Sequence, residues 1–326
     1  MIWVQFLISS TILVVVGLKL AEFADVIAIR TGMGGLFVGA ILLAASTSLP
    51  ELLTTLNSFQ LGEVNLAAGN LFGSNMFNMF MLGVLDVLFW RQSVLRRIRL
   101  RHAMSGAIAS LLIALVIFFL LADIEVQIGW VGLDSIIIIL AYIGLVYSLQ
   151  NSGDQAVAVG EVEIDPKMMS LAAGIVGFVL AAGLLVVVTP WLVESSVKIA
   201  EITGLGTGFV GIALVGMVTS LPELVTTIGA VRLKAFDMAV GNLFGSNMFN
   251  MFALGLGDVF LTSGRFLGLI DPAFVLTGLI GLVLTLLAVV GNVGKFERKI
   301  WIFEIDATLL ILGYIGGLYF LYLRGI

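Results

Sequence analysis

Twelve residues, GNLFGSNMFNMF, stand at 69–80 and again, letter for letter, at 241–252. A second segment does nearly the same, with TSLPELLTT at 47–55 returning as TSLPELVTT at 219–227. The offset from 69 to 241 equals that from 47 to 219, and Asp86 and Asp258 extend the same register. Such a chain contains two copies of one unit, and a repeat of this kind constrains the fold before any single motif does.

Hydropathy says what the unit is. The chain is 60% hydrophobic and only 11% charged, where soluble domains carry about 25% charge. A spanning helix needs roughly 20 apolar residues. Apolar stretches fall at about 3–29, 34–59, 64–90, 103–122, 129–149, 169–199, 205–230, 236–262, 271–291 and 302–323. The expected fold is therefore an all-α polytopic membrane protein with ten transmembrane helices. MIWVQFLISSTILVVVG lacks the basic start and small-residue cleavage site of a signal peptide and is read as a retained first span.

Only Gln150–Met168 is polar enough to be a linker. It separates a first five-helix repeat, 1–149, from a second, 169–326, with 150–168 as a cytoplasmic connection. Five is odd, so the second copy must enter the membrane from the opposite side, and the repeats are inverted. The loops agree, since the first copy has LGE at 61–63 where the second has RLK at 232–234. With the N-terminus outside, twelve basic residues face the cytoplasm: Arg30, Arg91, Arg96, Arg97, Arg99, Arg101, Lys167, Arg232, Lys234, Lys295, Arg298 and Lys299. Only Lys198, Arg265 and Arg324 face out, as the positive-inside rule requires. A multi-pass protein of the cell membrane with both termini extracytoplasmic is expected. RQSVLRRIRLRH, at 91–102, is read as a loop anchor at the lipid bilayer and not as a nucleic-acid site.

Several chemistries lack parts. The chain has no cysteine and one histidine, His102, read as an interfacial loop residue; there is no HExxH or GxSxG motif. Neither an enzyme nor a bound cofactor is expected.

What the repeats do carry is unusual for lipid. Glu51 and Glu223 sit near the middle of apolar spans, where an ionised residue costs about 2.5–3.5 kcal/mol on insertion scales. Pro50 and Pro222 directly precede them. A proline lacks the N–H that bonds the carbonyl four residues back, so helices 2 and 7 are expected to break there and free backbone oxygens. Those oxygens, the hydroxyls of Thr47, Ser48, Thr219 and Ser220, and the two carboxylates make an all-oxygen set of the kind hard cations such as Ca²⁺ prefer. The second motif has two stripes. Gly69 with Gly73 and Gly241 with Gly245 allow close backbone approach, and beside them Asn70, Ser74 and Asn78 recur as Asn242, Ser246 and Asn250. For Asn70, Asn75, Asn242 and Asn247, interhelical hydrogen bonding and ion ligation both stand open. Lys19 with Glu22 and Glu194 with Lys198 are expected to snorkel or pair locally near span ends, with a gating or vestibule role as the alternative.

TSLPE followed by GNLFGSNMFN, twice in a ten-span chain, resembles the two alpha repeats of the sodium/calcium exchanger branch of the calcium/cation antiporters. The resemblance implies that Glu51 and Glu223 are central metal ligands. Around them it places Thr47, Ser48, Thr219, Ser220, Ser74, Asn78, Ser246 and Asn250, with the backbone oxygens near Ala44 and Gly216. It also implies secondary active export of Ca²⁺ in exchange for Na⁺ by alternating access, the first and sixth helices sliding across the core. Many members have aspartate at the position matching Asn250, so this core has two carboxylates and at most −2 of formal charge. Proton-coupled antiport of Ca²⁺ or another divalent cation is therefore an alternative, and a cation channel with inverted repeats is the rival of another class.

Overall fold

The apolar stretches fold as helices with little else between them. The computed structural model describes residues 1–31, 43–89, 100–151, 168–294, 299–300 and 303–326. Arg91, Arg96, Arg97, Arg99, Lys167, Lys295 and Arg298, the side chains of Arg101, His102 and Lys299, and the expected linker apart from its ends lie outside the described residues. The first half comprises α1 (Ile2–Arg30), α2 (residues 43–47), α3 (Leu49–Gln60), α4 (Val64–Leu88), α5 (Leu100–Ala122) and α6 (Leu133–Asn151). The second comprises α7 (Leu171–Thr203), α8 (Thr207–Thr219), α9 (Leu221–Arg232), α10 (Phe236–Phe260), the single turn α11 (Phe266–Leu269), α12 (Phe274–Gly294) and α13 (Ile305–Arg324). By length and apolar composition, α4, most of α5, α7, α12 and α13 are able to cross a bilayer, and the bent pair α8–α9 makes a sixth crossing. Helices also occupy the other expected spans among the described residues. The chain is an all-α polytopic membrane protein.

The register of the repeat runs far beyond the matching letters. The offset that carries Asn75 onto Asn247 also carries both bounds of α3 onto those of α9, and both bounds of α4 onto those of α10. Even two short hairpins obey it, β1 (Gln127–Ile128) with β2 (Val131–Gly132) and β3 (Lys299–Ile300) with β4 (Phe303–Glu304). The first hairpin occupies the start of the span expected at 129–149, whose helix begins only at Leu133. A turn shows how strictly backbone is kept while sequence drifts. Gly62 joins α3 to α4 with φ +75°, and Lys234, at the equivalent position of the second copy, joins α9 to α10 with φ +60°. Lysine there bears the left-handed penalty of about 1–2 kcal/mol that glycine escapes.

The interrupted helices break two residues earlier than expected. Ser48 (φ −90°, ψ 8°) and Ser220 (φ −87°, ψ 4°) leave the helical region. Pro50 and Pro222 then fall in the first turn of α3 and α9, where a missing N–H costs nothing because that donor has no intrahelical partner. The proline thus starts the second half-helix and the serine is the joint. In the second copy the two halves meet at 41°, and α8 contains a wider π turn at Gly211–Val215.

Two packed regions surround this joint. Long helices α1 and α7 lie against each other, with Leu13, Leu20, Leu185, Leu192 and Ile199 buried among them. The larger core joins α4, α5, α10, α12 and α13 through residues such as Phe72, Met76, Leu112, Phe244, Leu254 and Leu284. Outward, α7 exposes Ile175, Val176, Val179, Leu180, Val186 and Val187, a face that suits acyl chains. Lipid tails are as apolar as leucine, so helix association here relies on close packing and interhelical hydrogen bonds. The glycine stripe supplies the closeness. A Cβ on Gly69 would fall 2.4 Å from the Gly208 carbonyl oxygen, and one on Gly73 would fall 2.5 Å from that of Ile212. Gly17 does the same for α1, where an added Cβ would meet the Pro222 ring at 2.8 Å.

Candidate functional site

The four broken half-helices and the middles of α4 and α10 meet at one buried spot. Eight side chains singled out from the sequence lie there, Thr47, Ser48, Glu51, Ser74, Thr219, Ser220, Glu223 and Ser246, with Asn78 and Asn250 one turn further along α4 and α10, and none of the ten is more than 1% exposed. Each glutamate lies in the first turn of its half-helix, three residues after the serine joint, so its position is fixed by the break and not by a flexible loop.

The two copies hold each other's carboxylates. Ser48 Oγ donates to Glu223 Oε1 at 2.9 Å, and Ser220 Oγ donates to Glu51 Oε1 at 3.0 Å. Within each copy, Ser246 Oγ lies 3.3 Å from Glu223 Oε1 and Ser74 Oγ lies 3.5 Å from Glu51 Oε1. The second oxygens, Glu51 Oε2 and Glu223 Oε2, are buried and receive no hydrogen bond. Among the described residues no ion pair includes either glutamate; those present join Lys19 to Glu22 and Arg265 to Asp123 and Asp134.

The expected backbone oxygens are close by, and they have partners. Ala44 O accepts from Ser48 N at 2.9 Å and from Thr47 Oγ1 at 3.2 Å. Gly216 O accepts from Ser220 N at 3.3 Å and lies 3.2 Å from Ser74 Oγ. The break therefore does not leave these carbonyls bare, because neighbouring hydroxyls take up what the helix gives away. Thr219 Oγ1 lies 3.0 Å from Asn70 Oδ1 and 3.4 Å from Ser74 Oγ, so it links both motifs.

The asparagines divide into two kinds. Asn70 Nδ2 donates to Glu51 O at 2.9 Å, and Asn242 Nδ2 donates to Thr226 and Thr227, so both fasten the half-helices to α4 and α10. Further along, Asn78 Nδ2 donates to Asn247 Oδ1 and Asn250 Nδ2 to Asn75 Oδ1, each at 2.9 Å. These cross-bonds turn Asn78 Oδ1 and Asn250 Oδ1 away, buried and without a donor. Two carboxylate and two amide oxygens of the residues singled out from the sequence are thus buried without a hydrogen bond. Burying such acceptors without a partner is costly.

Other charged residues lie away from this point. Lys19 and Glu22 form the expected local pair at 2.6 Å, while Glu194 and Lys198 are exposed with no ion pair between them. Asp258 is wholly buried, its carboxylate accepting from the backbone of Gly132 and Phe266. It belongs to a clamp in which Arg265 pairs with Asp134 and Asp123. In the other copy, Asp86 approaches Glu304 and Asp306, their ligand atoms all within 4.8 Å, and each makes further interactions. Asp134, Glu304 and Asp306 were not singled out from the sequence. The repeat register was the available signal, since Asp134 maps onto Asp306 as Asp86 maps onto Asp258.

Known proteins share this architecture. The inner membrane protein YrbG of Escherichia coli strain K12 is 27% identical over 278 residues, covering 82% of this chain and 83% of that one. The H⁺/Ca²⁺ exchanger CAX superposes with a TM-score of 0.67 at 16% identity, covering 98% of this chain and 87% of its own. The sodium-calcium exchanger NCX_Mj superposes at 0.62 with 21% identity, covering 98% and 99%. The family described as "Sodium/calcium exchanger protein" matches residues 1–149 and 173–323, nearly the whole of both repeats. With that match, the chain belongs to the sodium/calcium exchanger protein family.

Proposed function

We propose that this protein is a secondary active antiporter that expels Ca²⁺ in exchange for Na⁺, the two ions using the buried site in turn. Glu51 and Glu223 supply the charge, and Thr47, Ser48, Thr219, Ser220, Ser74, Asn78, Ser246 and Asn250, with the carbonyls of Ala44 and Gly216, supply neutral oxygens. The observation that carries the reading is the pair of wholly buried glutamates, each with one oxygen lacking a hydrogen bond and neither with a basic partner among the described residues. Two carboxylates balance one Ca²⁺ or two monovalent ions. In a low-dielectric site that balance decides occupancy, since an isolated charge there is too expensive to keep. The family supports exchange as the activity, and the orientation that fits the basic loops puts both termini outside the cytoplasm.

Coupling to protons is the second reading, and asparagine at both 78 and 250 favours it. Without a third carboxylate the site needs just two protons to become neutral and cross empty of metal. Flux into reconstituted vesicles separates the readings. Ca²⁺ movement driven by an opposed Na⁺ gradient and lost when choline replaces Na⁺ is expected. Flux driven by a pH gradient in Na⁺-free buffer would replace Na⁺ by H⁺, and Ca²⁺ flux with no counter-ion would make the protein a channel.

A further inference from the structure

Ligation by an asparagine has a condition that ligation by an aspartate lacks. A carboxamide has one oxygen end and one NH₂ end of nearly the same shape, and only the oxygen attracts a cation. Something must therefore hold the side chain oxygen-first.

For Asn78 that holding can be traced to an unambiguous end. Asn78 Nδ2 donates to Asn247 Oδ1 at 2.9 Å, and Asn247 Nδ2 donates to the backbone oxygen of Asn75 at 3.4 Å. A backbone carbonyl accepts and never donates, so it fixes which end of Asn247 faces it. That leaves Asn247 Oδ1 facing Asn78, which turns the Asn78 amine toward Asn247 and its oxygen away, buried and without a donor. The mirror arm lacks this anchor. Asn250 Nδ2 donates to Asn75 Oδ1 at 2.9 Å, but Asn75 Nδ2 is buried and finds no acceptor. Reversing both amides of that pair together would keep a bond between them, so nothing beyond the pair sets its direction.

We propose that Asn247 is a positioning residue that keeps Asn78 oxygen-first toward the transported cation, and that the two pseudo-symmetric arms of the site are for this reason unequal. The inference rests on the ion-site reading above. It assigns Asn247 a task separate from joining helices, although it joins α4 to α10 as well. Loss of an outer partner that orients a ligand typically lowers metal affinity about 10–100-fold.

A double-mutant cycle tests it, with Asn247→Ala introduced into the unmutated protein and into an Asn78→Asp background. Aspartate presents an oxygen whichever way it turns, so there the orienting partner has no work to do. Equilibrium Ca²⁺ binding to the purified protein, together with the Ca²⁺ concentration for half-maximal flux, is read for all four. Asn247→Ala is expected to weaken Ca²⁺ at least tenfold alone and by less than twofold in the Asn78→Asp background. Equal weakening in both backgrounds would make Asn247 a packing residue, and no weakening in either would remove its role; both overturn the proposal. If the alanine variant does not elute as folded protein, Asn247→Ser is carried through the same cycle. Absence of Ca²⁺ binding in the unmutated protein would instead overturn the functional reading on which the inference stands.

Discussion

Ser48 and Ser220 each donate to the glutamate of the opposite copy, and a glutamine there can keep that bond while it removes the charge. Glu51→Gln or Glu223→Gln keeps the shape and leaves an oxygen for the serine, yet a Ca²⁺ ion would then face one carboxylate instead of two. In a buried site half a neutralisation leaves a charge whose cost is several kcal/mol, so transport should fall to background while the protein still elutes as folded. Near-normal exchange in both variants, measured in the same vesicles, would move the site elsewhere. The glutamates and most of their neighbours were legible in the sequence, because an acidic residue amid apolar ones announces itself. The serine-to-glutamate crossing was not. It depends on two segments from opposite halves of the chain meeting face to face, and no local pattern in TSLPE says which glutamate its serine will touch. Asn75 and Asn247 were ambiguous for the same reason, as helical spacing gives the face a side chain occupies but not which end of its amide points inward.

The half-helices hold their geometry because α4 and α8 lie almost backbone to backbone. A methyl group at Gly73 would sit 2.5 Å from the Ile212 oxygen and 2.6 Å from its Cα, and backbone cannot move aside as a flexible side chain can. Overpacking of this kind costs about 1–3 kcal/mol. Gly73→Ala should therefore lower the melting temperature of the purified protein, whereas Gly144→Ala, on α6 with nothing within 4 Å, should not. Equal melting temperatures would show that α4 and α8 separate easily. The sequence made the glycine stripe visible and the broken helices expected, but it put the break at the prolines. The chain breaks at Ser48 and Ser220 because proline is well suited to the first turn of a helix and ill suited to its interior. The short hairpins went unread since two-residue strands leave no periodicity to detect.

Inversion is the expectation on which the reading of the whole molecule rests, and it is open to a direct test. Leu61 and Leu233 occupy equivalent turns of the two copies, 48% and 82% exposed. In a protein with two parallel repeats a reagent would reach both from the same side of the membrane. In this one five spans are expected from one copy to the other, an odd number, so the two turns are expected on opposite sides. The absence of cysteine makes the measurement clean, because a single introduced thiol is the only one present. In intact cells, a membrane-impermeant maleimide should modify Leu61→Cys, and Leu233→Cys only after the membrane is opened. The reversed pattern would keep the inversion and turn the whole protein over, putting Arg232 and Lys234 outside against the positive-inside rule. Labelling of both from one side would break the relation between the copies. It would also remove the reason that two identical motifs, entering from opposite faces, bring Glu51 and Glu223 to one place.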